Sequence, residues 1–274
     1  MEKIIQGTLL VVGGGAMGEA IIAGILDAGK LESPQIVVIE PNPERRVFLE
    51  QRYQLKVLSE LDGRTYGADD VCLFAVKPQI APKVLAGLAE HLDGTLFISI
   101  AIGVTIQDYY ALLDADIPVV RAMPNMPVSI GQGMSLISCS DNVSEGQARI
   151  ATQLFESVGA VEHIPEEWQS AGATISGSGP AYFSYMIDAL IEAGDNAGLP
   201  TDLSKRLAAH TAVGVSKLLL ATDRSPREIM YATASPGGIT EAALQTMDTR
   251  GVHSAIKDAF VAAVERAGEL EDSF

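Results

Sequence analysis

The amino-acid sequence predicts an α/β protein with an N-terminal doubly wound domain and an all-helical C-terminal domain. Short apolar segments alternate with helical segments in the first half of the chain, as in a parallel sheet that helices cover on both faces. A glycine-rich turn joins the first apolar segment to the first helical one. From about residue 165 the chain consists of long alanine-rich helical segments. We therefore predict one domain over residues 1–165 and a second over 166–274.

The strands of the first domain are predicted from five apolar segments. TLLVV (8–12) ends at Gly13, and the segment that follows keeps apolar residues at helical spacing until Gly29. The later strands are IVVIE (36–40), VCLFAV (71–76), LFISIAI (96–102) and PVVRAM (118–123). None of them alternates polar with apolar residues, which predicts that both faces of the sheet are buried.

The second domain is predicted to hold five helices. Apolar residues recur at helical spacing over residues 168–197, 201–222, 225–233, 239–248 and 252–271. Several faces of these helices are apolar, so a single thin layer of them would leave much apolar surface in water. We therefore expect a homo-oligomer that is at least a dimer.

Composition and charge exclude several classes of partner. The 274 residues carry a net charge of -16, which is the wrong sign for binding nucleic acid or an anionic membrane. No apolar run is long enough for a membrane span, and the opening residues indicate a strand rather than a signal peptide. The expected partner is a small-molecule substrate, with neither nucleic acid nor membrane.

Cysteine and histidine usage indicates no disulfide and no metal site. Cys72 and Cys139 both lie in apolar runs, which predicts buried, reduced thiols and a cytoplasmic location. The four histidines, at positions 91, 163, 210 and 253, occur singly and without metal-ligand spacing.

The glycine-rich turn carries a dinucleotide-binding pattern. Gly13-x-Gly15-x-x-Gly18 follows a strand and opens a helix, which is the context of that fingerprint in a Rossmann-type domain. Glycine lets the backbone turn tightly and approach the pyrophosphate of the ligand. The free N–H groups and the positive dipole end of the following helix would bind that pyrophosphate.

Residues of both charge signs follow the second predicted strand, where the adenosine ribose is expected. Glu40 lies about 20 residues beyond Gly18, where an acid accepts a hydrogen bond from the ribose 2′-hydroxyl and repels a 2′-phosphate. Arg45 and Arg46 could instead pair with that phosphate, or lie in a solvated first helical turn. Asn42 is predicted to contact the cofactor from the same loop. The sequence leaves NADH and NADPH both open.

Six motifs follow one another over essentially the whole chain. They are GGGAMGEA (13–20), AVKP (75–78), AIGVT (101–105), RAMPNMP (121–127), SGSGPAY (176–182) and SPGGIT (235–240). In this order they resemble the pyrroline-5-carboxylate reductase family, and the last two distinguish it from related hydroxyacid dehydrogenases. The resemblance implies reduction of L-1-pyrroline-5-carboxylate to L-proline by hydride transfer from NADPH or NADH, the last step of proline biosynthesis.

The resemblance also implies which residues form each site. Cofactor contacts fall in and just before the glycine loop (residues 13–18) and in the AVKP loop (75–78), namely Val12, Gly13, Gly14, Gly15, Ala16, Met17, Gly18, Ala75, Val76, Lys77 and Pro78. Asn125 is expected near the nicotinamide. The substrate carboxylate is assigned to Ser235, Gly237, Gly238, Ile239 and Thr240. Subunits of this family pair through their C-terminal helices, and the dimers often assemble into rings.

The SPGGIT segment needs no acid or base of its own, because the nicotinamide supplies the hydride. Its glycines are expected to leave outward N–H groups before a helix, and Ser235 and Thr240 add hydroxyl donors, so the segment predicts a site for one carboxylate. Thr240 is assigned as the catalytic residue, because its hydroxyl would donate a hydrogen bond to the ring nitrogen of the substrate. A hydroxyl is too weak an acid to be the lone proton donor, so water or prior protonation of the substrate must supply the proton.

The chain departs from the family pattern at three places. Ile239 stands where a small residue is usual, and Met230 and Tyr231 replace a Lys-Asp pair that commonly precedes the turn. Glu40 stands where members that prefer NADPH often have Ser or Thr.

Two alternatives remain open from the sequence. One is a related NAD(P)-dependent oxidoreductase that acts on a hydroxy acid or another imine, which would normally need a catalytic lysine, with Lys205 and Lys217 as the early candidates. The other is a dinucleotide sensor without turnover, against which the intact SGSGPAY and SPGGIT motifs argue.

Overall fold

The computed structural model describes residues 4–113 and 116–271 of the chain. These residues form two compact units. The first unit runs to Ser178 and also takes in the end of the chain from Val264, and the second unit is Gly179–Ala263. This division follows the packing of the chain and does not test where one domain ends and the next begins. The predicted boundary between residues 165 and 166 therefore stays a prediction.

The first unit is built on an eight-stranded sheet with strand order β3-β2-β1-β4-β5-β6-β7-β8. Its strands are β1 (Leu9–Val12), β2 (Ile36–Ile39), β3 (Lys56–Leu58), β4 (Val71–Phe74), β5 (Leu96–Ser99), β6 (Val119–Met123), β7 (Gly133–Cys139) and β8 (Gly159–His163). Its helices are α1 (Ala16–Asp27), α2 (Pro43–Tyr53), α3 (Ala81–Leu88), α4 (Ile106–Leu113), α5 (Glu145–Glu156) and α6 (Gln169–Ser176). All five predicted strands are present, and the doubly wound fold class is confirmed.

Burial on both faces of the sheet explains the continuous apolar strands. β1 lies between β2 and β4 and pairs in parallel with both. Its residues alternate between two core layers, with Leu9 and Val11 packed in one and Leu10 and Val12 in the other. A strand buried on both sides has no position for a polar side chain, so no alternation is seen in its sequence.

The five predicted strands pair in parallel, as expected, but the sheet as a whole is mixed. β7 pairs antiparallel with β6, and β8 then pairs in parallel with β7. The chain reverses directly after β6 through a short 3-10 helix, Met126–Ile130, instead of crossing over through a longer helix. This direct reversal accounts for the change in direction.

The two cysteines are free thiols, as predicted, but they differ in burial. Cys72 is fully buried on β4, whereas Cys139 at the end of β7 is only half-buried. Burial raises the pKa of both thiols above the ordinary value.

The second unit is helical. It contains α7 (Gly179–Asn196), α8 (Thr201–Ala221), α9 (Pro226–Thr233), α10 (Ile239–Thr249) and most of α11 (Val252–Glu271). Four predicted helices agree with the structure to within one residue at each end, but the predicted helix over 168–197 is wrong, because α6 and α7 are separate. Gly177 and Ser178 both donate their N–H groups to Ala173 O, which ends α6, and Pro180 suits the first turn of α7.

Large apolar side chains cover the surface of the helical unit. Tyr185, Leu220 and Ile239 are 79%, 90% and 92% exposed. Within Gly179–Ala263, only Gly179 and Ser204 are buried. The unit therefore leaves its apolar faces uncovered by its own residues. None of the helices in the described part of the chain combines the length and apolar character that crossing a bilayer requires.

Candidate functional site

The glycine loop and the AVKP loop meet at the switch point of the sheet, where the strand order reverses between β1 and β4. Ala75 donates its N–H to Val12 O (2.8 Å). A Cβ atom on Gly13 would lie 2.6 Å from Ala75 O, and the φ of Gly13, +105°, favours glycine. A Cβ atom on Gly18 would overlap Gly13 O. The two loops therefore pack closely at the edge of the sheet where doubly wound proteins bind ligands.

The start of α1 offers backbone donors to a ligand. Gly15 is the N-cap residue, and no side chain caps the helix. Among the residues that the structure describes, the N–H groups of Gly15, Ala16 and Met17 have no hydrogen-bond acceptor. Apart from Gly15 and its two chain neighbours, no residue has an atom within 4 Å of the place that a Cβ atom on Gly15 would take. Open space over unbonded N–H groups at a helix start fits the pyrophosphate of a dinucleotide.

Glu40 reaches the glycine loop from the end of β2. Its Oε2 accepts a hydrogen bond from Gly14 N (3.0 Å), and its Oε1 accepts one from Asn42 N (2.9 Å). Both carboxylate oxygens are thus held by backbone donors beside the switch point. Asn42 itself caps α2, since its side chain accepts from Arg45 N (3.1 Å).

Arg45 lies over the glycine loop and is held there by acceptors of the protein. Its Nε donates to Gly14 O (2.5 Å), its Nη2 pairs with Glu19 on α1, and its guanidinium lies 5.0 Å from the centre of the Phe48 ring. Burial alone would raise the pKa of Glu19, but hydrogen bonds from Arg45 and Tyr53 outweigh it, so the pKa is lowered. Glu19 therefore stays ionised at neutral pH and forms an ion pair with Arg45. This pair was not predicted from the sequence.

Asn125 braces the loop after β6. Its Nδ2 donates to Ser176 O (2.8 Å), and its Oδ1 accepts from Met134 N (2.9 Å). The side chain thus joins the RAMPNMP motif to the start of SGSGPAY. Its predicted contact with the nicotinamide stays a prediction, as does the contact of Lys77, whose side chain is exposed.

The SPGG turn, Ser235–Gly238, is a tight turn that ends where α10 begins. Gly238 donates its N–H to Ser235 O (2.9 Å), and Gly237 has a φ of +69°, as the third residue of a type II turn requires. Gly237 donates its own N–H to Glu241 Oε2 (2.7 Å). Contrary to expectation, the N–H groups of both glycines are used inside the turn and do not point outward to a ligand.

The open donors lie at the start of α10 instead. Gly238 is the N-cap of this helix and brings no side-chain cap, whereas Ser144 and Ser225 cap α5 and α9. Within the described residues, no acceptor bonds to the N–H groups of Ile239, Thr240 or Glu241. The helix start therefore presents three donors and a positive dipole end.

Thr240 also lines a cavity of about 290 Å³ within the helical unit. The cavity is otherwise lined by α8, α9 and α10, through Val215, Leu219, Pro226, Ile229, Met230, Thr233 and Leu244. The hydroxyl of Thr233 donates to Ile229 O (2.8 Å). The hydroxyl of Thr240 has no partner among the residues described, because a threonine at the second position of a helix has no helical carbonyl four residues before it. It is thus the hydroxyl on this wall that remains available to a ligand.

The other residues singled out in the helical unit lie on its surface or on the cavity wall. The side chain of Ile239 faces solvent, so only its backbone N–H can serve a ligand. Met230 contributes to the cavity wall, and Tyr231 is exposed. Lys205 and Lys217 are both exposed on α8. Over residues 4–113 and 116–271, no three His, Cys, Asp or Glu side chains are grouped as a metal site requires.

A protein with unbonded N–H groups at the switch point of a doubly wound sheet belongs to the class of dinucleotide-binding Rossmann proteins. Residues 8–103 match the family model described as NADP oxidoreductase, coenzyme F420-dependent, and residues 166–270 match that for pyrroline-5-carboxylate reductase dimerisation. The pyrroline-5-carboxylate reductase of Synechocystis sp. is 38% identical, over 95% of this chain and 97% of its own. The chain belongs to the pyrroline-5-carboxylate reductase family.

Further relatives and solved structures support membership of this family. The pyrroline-5-carboxylate reductase of Pisum sativum is 34% identical over 96% of both chains. The Coxiella burnetii enzyme structure matches with a TM-score of 0.88 and 29% identity, over 96% of this chain and 98% of that one. The Plasmodium falciparum enzyme, solved with NADP bound, matches with a TM-score of 0.86 and 27% identity, over 97% and 98%. The chain is thus an NAD(P)H-dependent oxidoreductase, and its dimerisation region indicates a homo-oligomer.

Proposed function

We propose that this protein reduces L-1-pyrroline-5-carboxylate to L-proline with a hydride from NAD(P)H, the last step of proline biosynthesis. The start of α10 carries the proposal, because three unbonded N–H groups lie next to an unbonded Thr240 hydroxyl on the wall of an apolar cavity. A five-membered cyclic imine with one carboxylate matches these features group by group. The carboxylate suits the N–H groups, the ring carbons suit the apolar wall, and the ring nitrogen suits the hydroxyl.

The cofactor is held by the first unit. The N–H groups of Gly15, Ala16 and Met17 would hold the pyrophosphate, and the loop that bears Glu40 and Asn42 would contact the adenosine ribose. The AVKP loop packs against the glycine loop and holds the glycine loop in its conformation. When bound, the reduced nicotinamide supplies a hydride to the imine carbon.

The start of α10 orients the substrate. The N–H groups of Ile239, Thr240 and Glu241 bind the carboxylate, while the hydrogen bonds inside the SPGG turn fix the direction in which these groups point. Preformed donors of this kind need no rearrangement at the moment of reaction. The Thr240 hydroxyl donates to the ring nitrogen, whose basicity rises as the imine becomes an amine. The proton comes from water or from a substrate already protonated on nitrogen.

The subunits assemble through the helical unit as at least a dimer, and the dimers assemble further into a ring. The exposed apolar side chains of α7 to α11 support this assembly, since they have no cover within their own unit. We place the protein in the cytoplasm, where its two free thiols would stay reduced.

Light scattering at micromolar concentration should give at least twice the mass of one chain. Burial of the apolar helical surface stabilises the dimer, so dilution to this range should not release monomers. A mass equal to that of a single chain would contradict the assembly.

The function is tested by following the absorbance of the reduced nicotinamide at a fixed protein concentration. Three parallel reactions contain pyrroline-5-carboxylate, a 2-keto acid or no substrate. We expect oxidation only with the cyclic imine. Turnover of the keto acid alone would indicate a hydroxyacid dehydrogenase, and dinucleotide binding without any turnover would indicate a sensor.

A further inference from the structure

Two carboxylates, those of Glu40 and Glu19, lie beside the glycine loop. Glu40 accepts from the N–H groups of Gly14 and Asn42, and these two bonds fix both of its oxygens beside the loop. Glu19, on the first turn of α1, accepts from Arg45 and from the hydroxyl of Tyr53 (2.8 Å to its Oε1). Both acids are held by hydrogen bonds, so neither can simply swing away from a ligand.

The charge of Arg45 is already paired. Its Nε donates to Gly14 O at 2.5 Å, and its Nη2 pairs with Glu19 across α1 and α2. To pair with a phosphate on the ribose, Arg45 would have to break the bond to Gly14 or share its charge with Glu19. A phosphate that brings between one and two further negative charges would also meet the carboxylate of Glu40.

Arg46 is a second cation near the expected ribose site, and its charge would favour NADPH. Its Nη1 donates to Glu40 O (3.1 Å) and Pro41 O (2.7 Å), and no carboxylate pairs with it among the residues described. Its charge could attract a 2′-phosphate. The two hydrogen bonds to carbonyl oxygens, however, hold the guanidinium of Arg46 against the backbone of the loop after β2. The side chain of Glu40 is on this same loop, and its negative charge would repel the phosphate.

From this arrangement we infer that the cofactor site selects NADH over NADPH, with Glu40 as the direct determinant and Glu19 as a second determinant that acts by holding Arg45. The inference rests on the proposed use of a nicotinamide dinucleotide. Glu40 accepts from the ribose hydroxyls of NADH and repels a 2′-phosphate. Glu19 removes from that phosphate the cation that would otherwise bind it. Glu19 is therefore a positioning residue, since it acts through Arg45.

The test measures dissociation constants for NADH and NADPH by the fluorescence of the bound reduced nicotinamide, without substrate. In the unaltered protein NADPH should bind at least about tenfold more weakly than NADH. Glu40→Ser should shift the ratio of the two constants toward NADPH by about tenfold or more. Glu19→Gln should tighten NADPH by about three- to tenfold and leave NADH within about twofold.

Tyr53→Phe is the matched control. It removes the other hydrogen bond of Glu19 but leaves the pair with Arg45, so it should keep the ratio of the unaltered protein. If the unaltered protein binds NADPH as tightly as NADH, or more tightly, the inference is wrong. If Glu19→Gln leaves the ratio of the two dissociation constants unchanged, Glu19 is not a determinant of cofactor selection. Selective binding of NADH without turnover of the imine would leave the inference standing and overturn the proposed function. Failure to bind either dinucleotide would overturn both.

Discussion

Thr240→Val is expected to lower kcat with pyrroline-5-carboxylate by about ten- to a thousandfold. Valine keeps the volume and the β-branching of threonine but removes the hydroxyl. That hydroxyl has no partner in the protein among the described residues, so its loss breaks no internal hydrogen bond and should leave the fold intact. If the hydroxyl stabilises the developing amine, the loss should appear mainly in kcat. The rate is measured under single-turnover conditions, so that product release does not mask the chemical step.

Thr233→Val is the control for this prediction. It removes a second hydroxyl from the same cavity wall, but this hydroxyl donates to Ile229 O within α9. It should therefore change kcat by less than about threefold. Thr240→Ser keeps the donor and should lose far less activity than Thr240→Val. Full turnover in Thr240→Val would mean that Thr240 only begins a helix.

Gly15→Val should weaken NAD(P)H binding by at least about 100-fold, since two charge-assisted hydrogen bonds of about 1.5 kcal/mol each would be lost. Apart from residue 15 itself and its two chain neighbours, no protein atom lies within 4 Å of the new Cβ atom, so we expect the substitution to leave the fold intact. The valine side chain would instead extend into the open space at the start of α1, where the pyrophosphate is proposed to bind. Titration of the intrinsic fluorescence with NADH gives the dissociation constant.

Gly87→Val separates this effect from a general loss of stability. Gly87 lies on α3, and a Cβ atom there would also meet no atom within 4 Å beyond its chain neighbours and the backbone of its own helix. This variant should bind the dinucleotide as the unaltered protein does, and both variants should keep a Tm within a few degrees of it. If Gly15→Val binds NADH normally, the pyrophosphate does not lie over the start of α1.

The strands and helices were predictable because burial leaves a direct trace in the order of residues. The four residues of β1 are buried on both faces, and every position in it is accordingly apolar. The helices after residue 200 have clear boundaries, such as Pro200 before α8 and the SPGG turn before α10. The break between α6 and α7 was missed because glycine and proline in SGSGPAY only loosen a helical pattern that otherwise continues. Three strands, β3, β7 and β8, were not predicted at all. The direction of β7 could not have been predicted either, because it depends on the connection and not on composition.

The glycine loop could also be predicted, because its chemistry is that of the backbone and needs residues close together in sequence. Contacts between distant residues could not. Glu19 and Arg45 lie 26 residues apart, and nothing in their spacing indicates that they pair. Arg121 is buried in an ion-paired cluster with Glu166 and Glu271, of which the last is 150 residues away. At SPGG the segment was found but its donors were misassigned, because Glu241 turns back to bond Gly237.

The central claim is the transfer of one hydride from the nicotinamide to the imine carbon, and isotope transfer tests it most directly. The protein is incubated with pyrroline-5-carboxylate and with NADH in which deuterium replaces both hydrogens at C4 of the nicotinamide ring. The product is then analysed by mass spectrometry and NMR. We expect L-proline with one deuterium at C5 for each NADH oxidised. Oxidation of NADH without deuterated proline, or proline that carries no deuterium, would contradict the account.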